Sequence, residues 1–153
     1  KVIFRPHPEI LKRDSLSFKN VLSEFKKNKN FEIDFENTAK NSMERSEILI
    51  TDNSTIAIEF LFVLKRTTLY INFADKIHNE KFHEIKIEPF ETQIKKKFGS
   101  EISIKQIKNI NIQIQKVLKR KINNGLLDKF INKNVYNLKK SVHYACNFFE
   151  KKD

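Results

Sequence analysis

The chain has 153 residues, a formal net charge of +11 and 39% hydrophobic residues, 14 of them Phe. That is enough apolar volume for one globular core, and it excludes a disordered chain. The single cysteine, Cys146, excludes an internal disulfide. The longest apolar run, Ile56 to Leu64, is far short of the ~20 residues that span a bilayer and is interrupted by Glu59.

The charge is unevenly placed. Residues 1–92 hold 15 Lys+Arg against 15 Asp+Glu, and residues 93–153 hold 15 against 4, so the second part supplies the whole excess. Such a face attracts anionic lipid, an anionic polymer or nucleic acid, or is simply a solvated surface. With only two Gly and three Pro, short loops and a mostly helical second half are expected.

In chain order, Lys1 is followed at once by Val2-Ile3-Phe4, which reads as a strand of a chain truncated upstream, with no signal peptide before it. Arg5-Pro6-His7-Pro8 stops it; two prolines in three residues predict extended backbone and no regular helix there. Apolar residues at 18, 21, 22 and 25 predict a helix over Leu16–Phe25. Phe31–Phe35 alternates as a strand does, and Asn37–Ser46 reads as a short helix. Glu47–Asp52 reads as a buried strand, Ser54–Lys65 as an apolar helix and Thr67–Asn72 as another strand.

This alternation predicts an α/β fold, a Rossmann-like parallel sheet flanked by helices. Phe73–Gly99 reads as loops with one short helix. Ile102–Ile122 has the spacing of an amphipathic helix stopped by Asn123-Asn124-Gly125. A final helix is expected over Asn137–Lys151, with Leu138, Val142, Ala145, Phe148 and Phe149 on one face. Residues 1–100 would form the Rossmann-like part, and 101–153 a helical extension packed on it as one structural unit.

Ligands of parallel sheets sit beyond the carboxyl ends of strands. One such end is Asp52-Asn53-Ser54-Thr55, which leads into a helix. Capping residue types, unpaired first-turn amides and the helix dipole together suit a phosphate, and the Ser54 and Thr55 hydroxyls add donors. An ordinary capped helix with nothing bound fits the same residues. Asp52 would cap the helix or orient a neighbour rather than touch a phosphate. Glu59, in an otherwise apolar helix, needs the cleft or a partner such as Arg5.

The other end is Arg5-Pro6-His7-Pro8. Arg5 offers a planar fork for phosphate oxygens, and an imidazole at His7 can donate to a leaving phosphate. A structural Arg5 and a structural His7 are the plainer readings. His78 and His83 are poorly spaced for a metal and lack a third ligand, so no metal site is expected. No glycine-rich phosphate loop or dinucleotide fingerprint is present. Cys146 reads as core rather than nucleophile, as do Phe60, Phe62 and Tyr70.

Taken together, Val2-Ile3-Phe4-Arg5-Pro6-His7-Pro8 and, about 40 residues on, Ile50-Thr51-Asp52-Asn53-Ser54-Thr55-Ile56-Ala57-Ile58-Glu59-Phe60 resemble the CDP-glycerol glycerophosphotransferase family. The later Lys65-Arg66-Thr67-Thr68-Leu69-Tyr70 is similar to the family's next strand, with Thr67 in place of a proline. The resemblance covers residues 1–72 and implies the carboxyl-terminal, donor-binding half of a GT-B transferase that builds teichoic-acid-like or capsular polymers.

It implies His7 as the catalytic residue at the donor phosphates, with Arg5, Asn53, Ser54 and Thr55 around the pyrophosphate and Asp52 and Glu59 in support. It implies no cofactor and no metal. It also implies a nucleotide-diphospho donor such as CDP-glycerol, an acceptor-binding amino-terminal domain, and work in the cytoplasm at the inner face of the membrane, against an anionic surface or polymer. No nucleic acid partner is expected. The alternatives are a nucleotide-sugar glycosyltransferase or epimerase half, and a non-enzymatic polyanion-binding module.

Overall fold

The computed structural model describes residues 1–73, 81 and 84–150. It is an α/β fold of parallel strands flanked by helices. The chain forms two compact units, Lys1–Glu47 and Ile48–Asp153. The boundary expected between residues 100 and 101 falls inside the second unit, within the strand Ser100–Ser103.

In the first unit, β1 (Val2–Phe4) pairs in parallel with β2 (Phe31–Ile33), with Phe4 opposite Ile33. Between them run α1 (Pro8–Arg13) and α2 (Ser15–Phe25), and α3 (Lys40–Glu44) follows β2. His7 keeps the extended backbone that was expected, and only Pro8, the last residue of Arg5-Pro6-His7-Pro8, departs from it by opening α1. A proline is accommodated in the first turn, where its missing N–H would have no intrahelical partner, and Pro8 occupies that turn. Aromatic rings pack against one another here: half-buried Phe4 lies 6.4 Å from Phe18 and 6.0 Å from Phe31, and the more exposed Phe25 lies 5.5 Å from Phe31.

In the second unit a three-stranded parallel sheet has the order β3 (Leu49–Thr51), β4 (Thr68–Asn72), β5 (Ser100–Ser103). The strands thus divide between two sheets, where sequence alternation alone suggested one. The helix α4 (Ile56–Leu64) connects β3 to β4, and α5 (Phe90–Phe98) leads into β5. A 3-10 helix (Ile104–Asn109), α6 (Ile110–Lys119), α7 (Asn124–Asn134) and α8 (Ser141–Glu150) follow.

Leu61 of α4, Ile94 and Phe98 of α5, and Leu127, Phe130 and Ile131 of α7 form one apolar cluster. A second joins Leu69 and Ile102 of the sheet to Val117 of α6. Phe60 and Tyr70 are buried as expected, and Phe62 packs at the rim of the first cluster.

Three sequence expectations are corrected in this half. The predicted helix over Ile102–Ile122 is a strand end, a 3-10 helix and a shorter α-helix. Asn123 does not stop a helix but starts one: its side chain accepts from the Leu126 amide at 3.0 Å and caps α7. The apolar face of α8 is exposed, with Val142, Phe148 and Phe149 open to solvent, and Cys146 is exposed rather than core. The expected end of that helix at Lys151, and His78 and His83, lie outside the described residues.

Gly99 closes the turn from α5 into β5 for a steric reason. A Cβ there would stand 2.6 Å from Cε2 of Tyr70 and 2.7 Å from the Lys95 carbonyl oxygen. The neighbour at 2.7 Å is backbone and cannot step aside. Gly99→Ala is therefore expected to destabilise this unit by about 1–3 kcal/mol, the usual cost of overpacking. Urea denaturation followed by circular dichroism measures it.

Candidate functional site

The carboxyl end of β1 is held by Arg5. Its Nη1 lies 2.8 Å from Oδ2 of Asp34, and its Nη2 donates to the Glu36 carbonyl at 2.8 Å. Asp34 is 7% exposed. Burial pushes its carboxyl up, but hydrogen bonds from Ser42, the Glu36 amide and Arg5 outweigh that and hold it below the ordinary carboxylate value. The guanidinium that the sequence offered to a phosphate, or to Glu59, is thus bound to a carboxylate within its own unit. The alternating segment Phe31–Phe35 carried the signal for this partner: Asp34 follows the strand that pairs with β1.

His7 caps α1. Its backbone is extended, and its Nδ1 accepts from the Glu9 amide at 3.2 Å. In the neutral ring an accepting Nδ1 leaves the proton on Nε2. The exposed imidazole of His7 then presents an N–H donor.

Beyond β2 lies a polar groove of about 290 Å³, lined among others by Glu32, Asp34, Glu36, Asn41, Ser42 and Arg45. Its Glu32, Asp34 and Arg45 are held in ion pairs. Arg45 meets Glu32 at 2.5 Å, and Lys1 meets the same carboxylate at 2.6 Å. Hydrogen bonds from Arg45 and Lys1 pull the Glu32 carboxyl down to about 2.

The second strand end belongs to the other unit. After Thr51, residues Asp52, Asn53 and Thr55 are exposed and Ser54 is half-buried. The helix starts at Ile56 with Thr55 at the N-cap, already in helical geometry (φ −60°, ψ −23°), and no side chain caps it. Asp52 therefore does not cap α4. The Ala57 amide donates to the Ser54 carbonyl at 3.1 Å and the Ile58 amide to the Thr55 carbonyl at 2.9 Å. The Thr55 hydroxyl is thus not spent on the helix that it precedes.

Glu59 lies in the first turn of α4 and is exposed, so the buried carboxylate that needed a partner does not exist. It complements the positive end of the helix dipole, and an incoming anion would meet it there.

His7 and the Asp52–Thr55 turn therefore stand at carboxyl ends of parallel strands in separate compact units. Among the described residues, no group of three or more His, Cys, Asp or Glu is arranged to hold a metal ion. No helix among them is long and apolar enough to cross a membrane. Compared with family models, curated proteins and solved structures, the chain matches none of them.

Proposed function

We propose that the chain is the donor-binding half of a GT-B-type transferase, moving glycerol phosphate or a related group from a CDP-linked donor onto a surface polymer. The observation that carries the reading is the ordered pair of motifs at strand ends in a parallel α/β fold: Arg-Pro-His-Pro after β1, and Asp-Asn-Ser-Thr after β3 at the head of α4. The exposed Nε2 side of His7 and the uncommitted Thr55 hydroxyl support it.

In this reading the amides and hydroxyls at Ser54 and Thr55 hold the donor phosphates with the help of the α4 dipole, and Asn53 adds an amide at the turn. Arg5 braces the His7 turn through Asp34 rather than meeting the ligand. An acceptor hydroxyl attacks the phosphorus on the glycerol side and gives up its proton to water, the bridging P–O bond breaks, and CMP leaves with the bridging oxygen. His7 is the candidate catalytic residue, through the N–H donor of its exposed imidazole. A second Rossmann-like domain supplies the acceptor side. The enzyme works at the inner face of the cell membrane, for which the basic residues 93–153 are the support.

The experiment is a thermal-shift titration with CDP-glycerol, CDP and UDP. At a hundredfold excess over Kd, binding is expected to stabilise the chain by about 2.7 kcal/mol. Thr55→Ala should weaken CDP about tenfold, with circular dichroism as the control for folding. A preference for UDP would favour the nucleotide-sugar reading. Binding of polyanions alone, abolished by reversing Lys residues in 105–140 and steeply salt-dependent, would favour the non-enzymatic module.

A further inference from the structure

The second unit holds a cluster that sequence reasoning passed over. The Lys95 side chain of α5 is only 16% exposed. Its ammonium donates to Oδ1 of Asn72, lies 3.7 Å from Oε2 of Glu101 and stands 5.4 Å from the centroid of the Tyr70 ring. Asn72 in turn donates to the same Glu101 carboxylate. One cation is thus fixed by an amide, a carboxylate and an aromatic face.

Its place in the sheet gives this cluster meaning. Asn72 is the last residue of β4 and stands in register with Ser103, the last residue of β5. Thr51, the last residue of β3, is in register with Tyr70. The Asp52–Thr55 turn and Asn72 therefore leave adjacent parallel strands at one carboxyl edge, where ligands of such sheets bind. With Arg5 committed to Asp34 in the first unit, the donor-phosphate site needs a cation from elsewhere. Glu101, at 38% side-chain exposure, is the group that an incoming phosphate can displace as the partner of Lys95.

We propose that Lys95 is the cationic residue of the phosphate site of this unit. It serves a nucleoside diphosphate held at the head of α4, and Asn72 and Glu101 are the positioning residues that keep its ammonium at the sheet edge while the site is empty. The inference rests on the donor-binding reading and adds to it the residue that balances the phosphate charge. Lysine serves here as a compact point charge rather than a planar fork. Binding exchanges one anionic partner for another, and no covalent step is involved.

The test is calorimetric titration of the full chain with CDP and, separately, inorganic pyrophosphate, using wild type, Lys95→Met, Lys95→Arg and Glu101→Gln. Circular dichroism and the melting temperature control for folding. Lys95→Met is expected to weaken both ligands at least tenfold, and Lys95→Arg to retain most of the affinity. Glu101→Gln, which removes the competing carboxylate, is expected to tighten binding severalfold.

Wild-type binding that Lys95→Met leaves unchanged would overturn the assignment of Lys95 while leaving the donor reading intact. Weaker binding in Glu101→Gln would overturn the exchange. A wild-type chain that binds neither ligand would remove both the inference and the reading on which it rests. If Lys95→Met fails to fold, the Lys95→Arg and Glu101→Gln titrations decide.

Discussion

Leu127→Ala is expected to destabilise the second unit by about 3 kcal/mol, within the usual 2–5 kcal/mol range for a large buried aliphatic side chain cut to alanine. Leu127 is 0% exposed and packs in one cluster with Leu61, Ile94, Phe98, Phe130 and Ile131, contributed by α4, α5 and α7. Alanine suits helices, so the loss measures packing rather than propensity. The adjacent Leu126, 55% exposed, is the internal control: Leu126→Ala should change stability by no more than about 0.5 kcal/mol.

Urea denaturation of the two variants separates the contributions. The contrast bears on organisation as well as energy. The helix α7 carries basic residues and could pass for an appendage, yet it closes the core over the helix that starts at the candidate phosphate turn. Equal and small effects would show that α7 is not part of that core.

Asp34→Ala is expected to destabilise the first unit by about 2–3 kcal/mol. The carboxylate accepts charge-assisted bonds from Arg5 and the Glu36 amide, each at 2.8 Å, and such bonds are worth about 1.5–3 kcal/mol. The loss stays below that for a fully buried pair because Arg5 keeps 27% side-chain exposure and can recover water.

A pH dependence follows. Asp34 and Glu32 both have folded-state carboxyls below their unfolded values. Their contribution is complete above the ordinary carboxylate range and is lost as pH falls through that range towards about 2, the folded value of Glu32. Asp34→Asn should therefore lower stability at neutral pH and flatten the acid limb of the stability profile. An acid limb unchanged by the substitution would remove Asp34 from the account.

Much of this was legible in the sequence, for physical reasons. Ile56–Leu64 is a nearly continuous apolar run, and strands such as Leu49–Thr51 are flanked by polar turns, so α4 and the parallel strands announced themselves. The strand β5 did not. Ser100-Glu101-Ile102-Ser103 has a single buried apolar residue, and the isoleucines that follow continue a helical spacing across the 3-10 turn into α6. Asn123-Asn124-Gly125 suits either end of a helix, and only the Leu126 amide bound to the Asn123 side chain decides the direction. The helix α8 is amphipathic in sequence, but its apolar face is exposed.

At the site, the residue types at both strand ends were readable. What the sequence could not show is which partners those residues take. Arg5 is bound to Asp34, 29 residues away, through the pairing of β1 with β2. Lys95 is fixed by Asn72 and Glu101 through the register of β4 with β5.

The most direct test of the central claim is a ¹H–¹⁵N correlation spectrum of the labelled chain during titration with CDP. The account predicts saturable shifts concentrated in the amides of residues 53–57. A spectrum that stays still at millimolar CDP, or moves only along the lysine-rich helices and relaxes with added salt, would contradict it.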